Sequence, residues 1–159
     1  IGISKISDLV FHIEKPEKQI VLIENNQETG SFEKEIVKTE EKIDISALMA
    51  LGDIAKGEKI FKKCSACHSI EKGGKNKIGP ALYNVVGRDV ASITDYKYSK
   101  ALVNYGKKWT FEELNGYLIK PASYIKGTKM AFAGLRKEVD RASVIKYLNK
   151  FSDNPKPLP

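Results

Sequence analysis

The sequence predicts an all-α fold of short helices joined by long loops, with a linker-like extension before it. Two stretches, one after Asp53 and one before Lys150, repeat apolar residues at intervals of three and four, which is typical of amphipathic helices. Between them, residues 71–105 are rich in glycine and lysine and show no such repeat. A loop this long in a compact domain indicates that a bound group supplies part of its packing surface.

The first predicted helix begins after Asp53, whose carboxylate suits an N-cap position. Met49 lies in the apolar run of residues 45–51 that precedes this helix, and we expect it to be a packing residue. The inward face of the helix is expected to hold Ile54, Gly57, Ile60, Phe61 and Cys64.

Two further helices follow in the second half of the chain. Thr110 and Glu113 form a capping-box pattern that opens one helix, and Pro121 stops it. The last helix is predicted over about residues 137–150. Its apolar face is expected to hold Val139, Ala142, Ile145 and Leu148.

Charge divides the chain into two regions. Residues 1–46 carry six lysines against ten acidic residues, whereas the rest of the chain carries 21 basic residues against 10 acidic ones. We therefore predict a charged extension over residues 1–46, a domain over residues 47–152 and a Pro-rich, frayed tail over residues 153–159. Within the extension, Ile20–Ile23 could form a short strand.

The basic balance, a net charge of +7 with a pI of about 9.3, indicates the kind of partner. Nucleic-acid binding is disfavoured, because Arg88, Arg136 and Arg141 are the only arginines and no lysine stripe is interleaved with aromatic residues. A docking face for an acidic protein fits better. An ordinary solvated lysine surface remains the alternative.

The segment Cys64-Ser-Ala-Cys67-His68 is the most specific motif in the chain. A Cys-x-x-Cys-His run is the attachment signature of a c-type haem, with two thioether bonds and an adjacent iron ligand. The chain has 2 Cys and 2 His in all, so a four-ligand zinc site would need His12 as well. A redox dithiol would leave His68 without a role, and a disulfide between residues three apart would be strained.

The second axial ligand of the iron decides whether the site is closed. Met130 lies in a polar turn where a methionine has little structural reason to be, and it is the preferred candidate. Lys126, Lys129 and His12 are the alternatives. A site closed by Met130 predicts an electron carrier, whereas an open sixth position would predict a peroxidase-like enzyme or a binder of small ligands.

In chain order, these motifs resemble class I cytochromes c of the mitochondrial type over about residues 52–150. The motifs are Gly57, Phe61, Cys64-Ser-Ala-Cys67-His68, Gly79-Pro80, Gly87-Arg88, Trp109, Tyr117-Leu118, Pro121 and Gly127-Thr128-Lys129-Met130. Residues 43–48 are similar to the lead-in of membrane-anchored alphaproteobacterial members. The resemblance implies that the N-terminal and C-terminal helices of the domain cross, with shorter helices and long loops around one haem.

The resemblance also implies a role for each pocket residue. It implies that the Pro80 carbonyl orients His68. It also implies that Phe132 shields the edge of the haem. It implies that three residues donate hydrogen bonds to a buried haem propionate, namely Arg88, Tyr98 and Trp109. It implies that two residues line the Met130 side of the haem, Tyr117 and Thr128. Lys126 departs from the family, which usually has Pro there, so the Met130 loop is expected to be less rigid.

The resemblance further implies a monomeric one-electron carrier without catalytic residues. The implied partners are a quinol:cytochrome c reductase as donor and a haem–copper oxidase as acceptor. Haem c is attached outside the cytoplasm, and the chain begins at Ile1 rather than Met. A removed signal peptide or membrane anchor is therefore expected, with the domain on the periplasmic side of the inner membrane. The soluble periplasm and the mitochondrial intermembrane space are the alternatives.

Overall fold

The computed structural model describes residues 44–159, and the extension before them, with its possible strand, lies outside the described residues. The described part is helical, and its only sheet-like pairing is one antiparallel bridge between Asp89 and Lys108. The all-α prediction is confirmed. The helices are α1 (Ile45–Ala50), α2 (Ile54–Ser65), α3 (Lys100–Val103), α4 (Phe111–Ile119), α5 (Pro121–Tyr124) and α6 (Glu138–Lys150).

Helices α2 and α6 cross at very close range, and this crossing is the largest helix–helix interface in the described residues. At the crossing point the backbone of Gly57 lies against the backbone of Ser143. A Cβ atom on Gly57 would overlap the Ser143 carbonyl oxygen and come within 2.7 Å of its carbonyl carbon. Phe61 and Tyr147 pack one turn away, with ring centroids 5.5 Å apart. Only glycine at position 57 permits this approach.

The start of α2 agrees with the sequence except at one position. The Asp53 carboxylate accepts a hydrogen bond from the Lys56 amide at 2.6 Å, as predicted for an N-cap. On the predicted inward face, Gly57, Ile60 and Phe61 are buried. Ile54, however, is 45% exposed, so its assignment to that face is wrong. The chain already contacts α6 at Asp53, whose amide donates to the Ser143 hydroxyl at 3.1 Å, but the side chain of Ile54, the first residue of the helix, remains largely exposed.

Helix α1 was not predicted as a helix, although Met49, one of the two residues it buries, was expected to pack. The Asp44 carboxylate accepts from the amides of Ser46 and Ala47, which stabilises the first turn. Leu48 and Met49 are then buried, with Met49 only 1% exposed. Helix α1 begins at Ile45, two residues before the predicted domain boundary at residue 47.

Helix α4 begins at the predicted N-cap, because the Thr110 hydroxyl accepts from the Glu113 amide at 3.2 Å. The reciprocal half of the capping box is not formed, since the Glu113 carboxylate binds side chains elsewhere. Pro121 does end α4, but it also opens the single turn of α5 at the position where proline is tolerated.

The C-terminal tail is held against the domain, so the predicted fraying is wrong. The Asn149 side chain pairs with the Lys156 backbone in both directions, donating at 2.8 Å and accepting at 2.9 Å. At the end of the chain, the Ser46 hydroxyl donates to the Pro159 carbonyl at 2.9 Å. Ser46 and Pro159 are 113 positions apart, which is why local composition could not reveal this contact.

Within residues 44–159, none of the helices has the length and apolar character needed to cross a membrane.

The α2–α6 crossing makes a prediction about Gly57. Helix propensity alone would favour Gly57→Ala by about 1 kcal/mol. The overlap with Ser143 should outweigh that gain, so we expect a net loss of about 2 kcal/mol or more in the free energy of unfolding. Urea unfolding of the haem-bound protein measures it. Glu58→Ala, at the next and exposed position, is the control and should change stability by less than about 0.5 kcal/mol. A stabilised Gly57→Ala would contradict the close crossing.

Candidate haem site

The Cys-x-x-Cys-His segment forms a tight turn at the C-terminal end of α2. The amides of Cys67 and His68 both donate to the Cys64 carbonyl, at 3.0 and 2.9 Å. The turn therefore brings both thiols and the imidazole onto one short stretch of chain. All three side chains are partly buried. Because α2 is fixed by its crossing with α6, the position of this turn is fixed as well.

The structure gives no support to the two other uses of these thiols. Within the described residues, no three His, Cys, Asp or Glu side chains are grouped as a metal site would require. Burial, and secondly the neighbouring Cys67, raises the pKa of the free Cys64 thiol to about 11, against a smaller opposing effect of Lys63. A redox-active thiol needs the opposite, a lowered pKa.

His68 is held by a hydrogen bond from one of its two ring nitrogens. Its Nδ1 lies 2.7 Å from the Pro80 carbonyl oxygen, and a carbonyl can only accept, so Nδ1 carries the proton. The lone pair is therefore on Nε2, the form that binds a metal. Burial lowers the pKa of His68, although the bond to Pro80 opposes this, and lowering favours the neutral ring.

Gly79 sets the orientation of that ring. A Cβ atom at this position would overlap the His68 ring at Cε1 and come within 2.7 Å of Nδ1, so the imidazole lies directly on the glycine backbone. The Gly79 amide donates to the Cys67 carbonyl at 2.8 Å, which connects this backbone to the motif. The sequence motif contained Gly79, but its role was not inferred.

Arg88 contributes a partly buried guanidinium with one buried, unsatisfied donor. Its two terminal nitrogens donate to the carbonyls of Tyr83 and Ala81, at 2.9 and 3.1 Å. The buried Nε has no hydrogen-bond partner among the described residues. Burial lowers the pKa of Arg88, while the nearby Tyr98 opposes that shift. A cation with an orphaned donor in such a place is suited to a buried anionic group.

A connected series of contacts runs from Arg88 to the candidate methionine. Arg88 pairs with Trp109 through the backbone, since the Trp109 amide donates to the Arg88 carbonyl at 2.8 Å. The Trp109 and Tyr117 rings pack with centroids 4.9 Å apart. The Tyr117 hydroxyl lies 2.7 Å from the Thr128 hydroxyl oxygen, which accepts from the Met130 amide at 3.3 Å. The segments that carry these residues are therefore joined directly.

The remaining predicted pocket residues lie at the edge of this arrangement. Met130 and Phe132 are partly buried and pack against the hydrophobic core, and Tyr98 is partly buried, with its ring 4.8 Å from that of Tyr96. Burial raises the pKa of Tyr98, which keeps its hydroxyl protonated and able to donate. Glu113, which the sequence analysis used only as a helix cap, is bonded to two tyrosines and a lysine.

The residues present fit a covalently attached haem. Two adjacent thiols are available for thioether bonds, a neutral imidazole follows them, and an unsatisfied guanidinium suits a propionate. Each of these features follows from a contact within the chain itself.

Comparisons with known proteins agree with this donor set. The cytochrome c family model matches residues 54–152. A "cytochrome c homolog" from Rickettsia prowazekii is 47% identical over 125 residues, which are 79% of this chain and 71% of that protein. A "cytochrome c homolog" from Bradyrhizobium diazoefficiens is 38% identical over 154 residues, 96% of this chain and 84% of that protein.

A solved structure, cytochrome cH from Methylobacterium extorquens, matches with a TM-score of 0.59 and 38% identity. The match covers 62% of this chain and 99% of that one. The family model, the two relatives and the solved structure all indicate the same fold and the same cofactor. The chain belongs to the cytochrome c family: it is an electron carrier rather than an enzyme, with one haem c bound through Cys64 and Cys67.

Proposed function

We propose that His68 and Met130 are the two axial ligands of the haem iron and that the chain is a closed, one-electron carrier. The observation that carries this proposal is the 2.7 Å contact from His68 Nδ1 to the Pro80 carbonyl, which leaves Nε2 with a free lone pair. When bound, the haem supplies the chemistry, a change of iron between the ferric and ferrous states. The protein holds the ligands and excludes water.

Met130 is the better of the two methionines for this role. Met49 is 1% exposed within the core beside α6, so its sulfur is already enclosed by the protein. Met130 is partly exposed and lies two residues after Thr128, which is bonded to Tyr117. A thioether ligand raises the reduction potential, as a respiratory carrier requires. Lys126 and Lys129 are exposed and are the remaining rivals among the described residues.

The proposed roles of the polar pocket residues follow from their contacts. Arg88 would bind a propionate through its unpaired Nε, and Tyr98 would donate to the same group. Trp109 is 9% exposed and would present its indole N–H beside them. Phe132, at the partly buried end of the segment after Met130, would cover the haem edge.

We further propose a quinol:cytochrome c reductase as electron donor and a haem–copper oxidase as acceptor. Residues 47–159 are strongly basic, and five lysines that flank the site segments have exposed side chains. None of the five takes part in the four ion pairs of the described residues, so their charge is available to an acidic partner. These lysines are Lys63, Lys75, Lys77, Lys129 and Lys137.

The extension of residues 1–46 is proposed as a linker between a membrane anchor and the haem domain. Its support is the charge contrast with the domain and the Bradyrhizobium relative, whose match extends over 154 residues and so includes most of the extension. A tethered carrier would be held near its partners at high effective concentration.

The tether is tested by expression from the native start codon, followed by membrane fractionation. We expect the haem-bound protein in the membrane fraction on the periplasmic side, resistant to extraction by high salt and released by detergent. Recovery of the protein only in the soluble periplasm would contradict the tether and leave the carrier role intact.

The two methionines provide a matched pair for testing the ligand. Met130→Leu should abolish the sulfur-to-iron charge-transfer band of the ferric protein and lower the reduction potential, because the thioether is lost. Met49→Leu conserves volume in the core and should keep both, at a cost in stability below about 1.5 kcal/mol. The measurements are an optical spectrum and a redox titration. Persistence of the band in Met130→Leu would exclude Met130 as the ligand.

The docking face is tested by the ionic-strength dependence of electron transfer to the purified oxidase. The second-order rate should fall steeply as salt is added, because exposed charges are screened. Lys129→Gln should slow the low-salt rate about 1.5- to 5-fold, the equivalent of about 0.2–1 kcal/mol for one exposed pair. Lys150→Gln, at the cleft beside the tail, is the control and should leave the rate unchanged. A rate insensitive to salt would contradict the proposed face.

A further inference from the structure

The Glu113 carboxylate joins three separate segments of the chain. Its side chain is 15% exposed and accepts hydrogen bonds from the Tyr105 hydroxyl at 2.5 Å, Lys107 Nζ at 2.5 Å and the Tyr124 hydroxyl at 3.0 Å. Glu113 lies in the first turn of α4, Tyr105 and Lys107 in the loop after α3, and Tyr124 at the end of α5. One carboxylate thus holds the α4–α5 pair against the preceding loop.

The charged state of Glu113 is favoured despite its partial burial. Burial alone would raise its pKa, but the hydrogen bonds from Lys107, Tyr105 and Tyr124 together lower it below the ordinary value. Burial and the bond to Glu113 raise the pKa of both tyrosines, so their hydroxyls stay protonated as donors. Charge-assisted bonds of this kind are stronger than neutral ones.

Tyr124 is also fixed from its other side. A Cβ atom on Gly116 would come within 2.6 Å of Tyr124 Cζ and 2.8 Å of its hydroxyl oxygen, so the ring lies directly on the α4 backbone. The ring is further flanked by Tyr117 and Tyr105, at centroid distances of 6.4 and 6.5 Å. Glu113 and Gly116 together fix the position of the Tyr124 side chain, and Tyr124 is the last residue of α5.

The segment that follows Tyr124 leads directly to Met130. It contains Lys126 and Gly127, neither of which restricts the backbone as a proline ring would. Its far end is held by the bond between Thr128 and Tyr117. Its near end begins at Tyr124, and Ile125 after it is buried. The near end is thus held by the burial of Ile125, by the Ile125 amide, which donates to the Pro121 carbonyl at 3.0 Å, and by the Tyr124 side chain that Glu113 binds.

We propose that Glu113 is a positioning residue for Met130, because it fixes Tyr124 and thereby the start of the loop that carries the methionine sulfur. The inference rests on the proposed ligation by Met130. Loss of the carboxylate would remove the contact that fixes the Tyr124 side chain at the near end of the loop, and so make the sulfur easier to displace from the iron. A structural role confined to the first turn of α4 would have no such effect on the ligand.

The test is a titration of the ferric, haem-bound protein with imidazole, which competes with the methionine sulfur for iron. We expect Glu113→Gln to bind imidazole about tenfold more tightly than the native protein, since the charge-assisted hydrogen bonds that fix Tyr124 are replaced by weaker neutral ones. Glu112→Gln is the matched control. Glu112 lies in the same helical turn, is exposed, and should change the affinity by less than about twofold.

Tyr124→Phe provides a second variant that keeps the carboxylate and removes one donor. It should increase imidazole affinity by less than Glu113→Gln does. If Glu113→Gln does not fold, Tyr124→Phe alone tests the positioning role. Unchanged affinity in Tyr124→Phe and in any folded Glu113→Gln protein, even with reduced stability, would overturn the positioning role. If the native protein lacks the sulfur-to-iron band, Met130 ligation itself fails, and the two failures are thereby distinguished.

Discussion

The position of the haem attachment motif depends on one close contact, between the backbones of α2 at Gly57 and α6 at Ser143. Side chains cannot separate the two helices there, so the axis of α2 is determined by the backbone of α6. The motif begins at Cys64 in the last turn of α2 and continues in the turn that follows. The packing of Gly57 against Ser143, neither of which is part of the haem site, therefore determines where in the domain the attachment motif lies.

The rest of the site is held by polar contacts between loops rather than by helix packing. His68 is oriented by Pro80. The Met130 amide donates to Thr128, whose hydroxyl is bonded to that of Tyr117. Residues 71–78, between His68 and Pro80, are mostly exposed, and a haem supplies apolar surface against which such a segment can order. The unpaired Nε of Arg88 is consistent with this arrangement, because the proposed partner of that donor is a haem propionate.

The sequence alone was sufficient for the features that depend on contiguous residues. The attachment motif, the caps at Asp53 and Thr110, and the long helices α2, α4 and α6 are local patterns. Helix α1 was missed because it is only six residues long, and its burial against α6 comes from tertiary packing. The tail was wrongly expected to fray because its last residue is held by Ser46, which is distant in sequence.

The candidate pocket divides in the same way. Cys64, Cys67 and His68 follow from spacing, whereas Arg88, Trp109 and Thr128 come from separate segments and were inferred only through the family resemblance. The contacts of Glu113 with other segments were not predicted, because an acidic residue at this position of a capping box is expected to bond the start of its own helix. Only the structure shows its carboxylate bonded to tyrosines from two other segments.

Ligation of the iron by Met130 is the central claim, and the chain's 2 methionines make it directly measurable. Protein labelled with ¹³C in the methionine methyl groups would be studied by NMR in the reduced, haem-bound state. The ring current of the haem should shift the methyl signal of Met130 far upfield, leave that of Met49 in the ordinary range, and persist unchanged in Met49→Leu. Two methyl signals in the ordinary range, or an upfield signal lost in Met49→Leu, would contradict it.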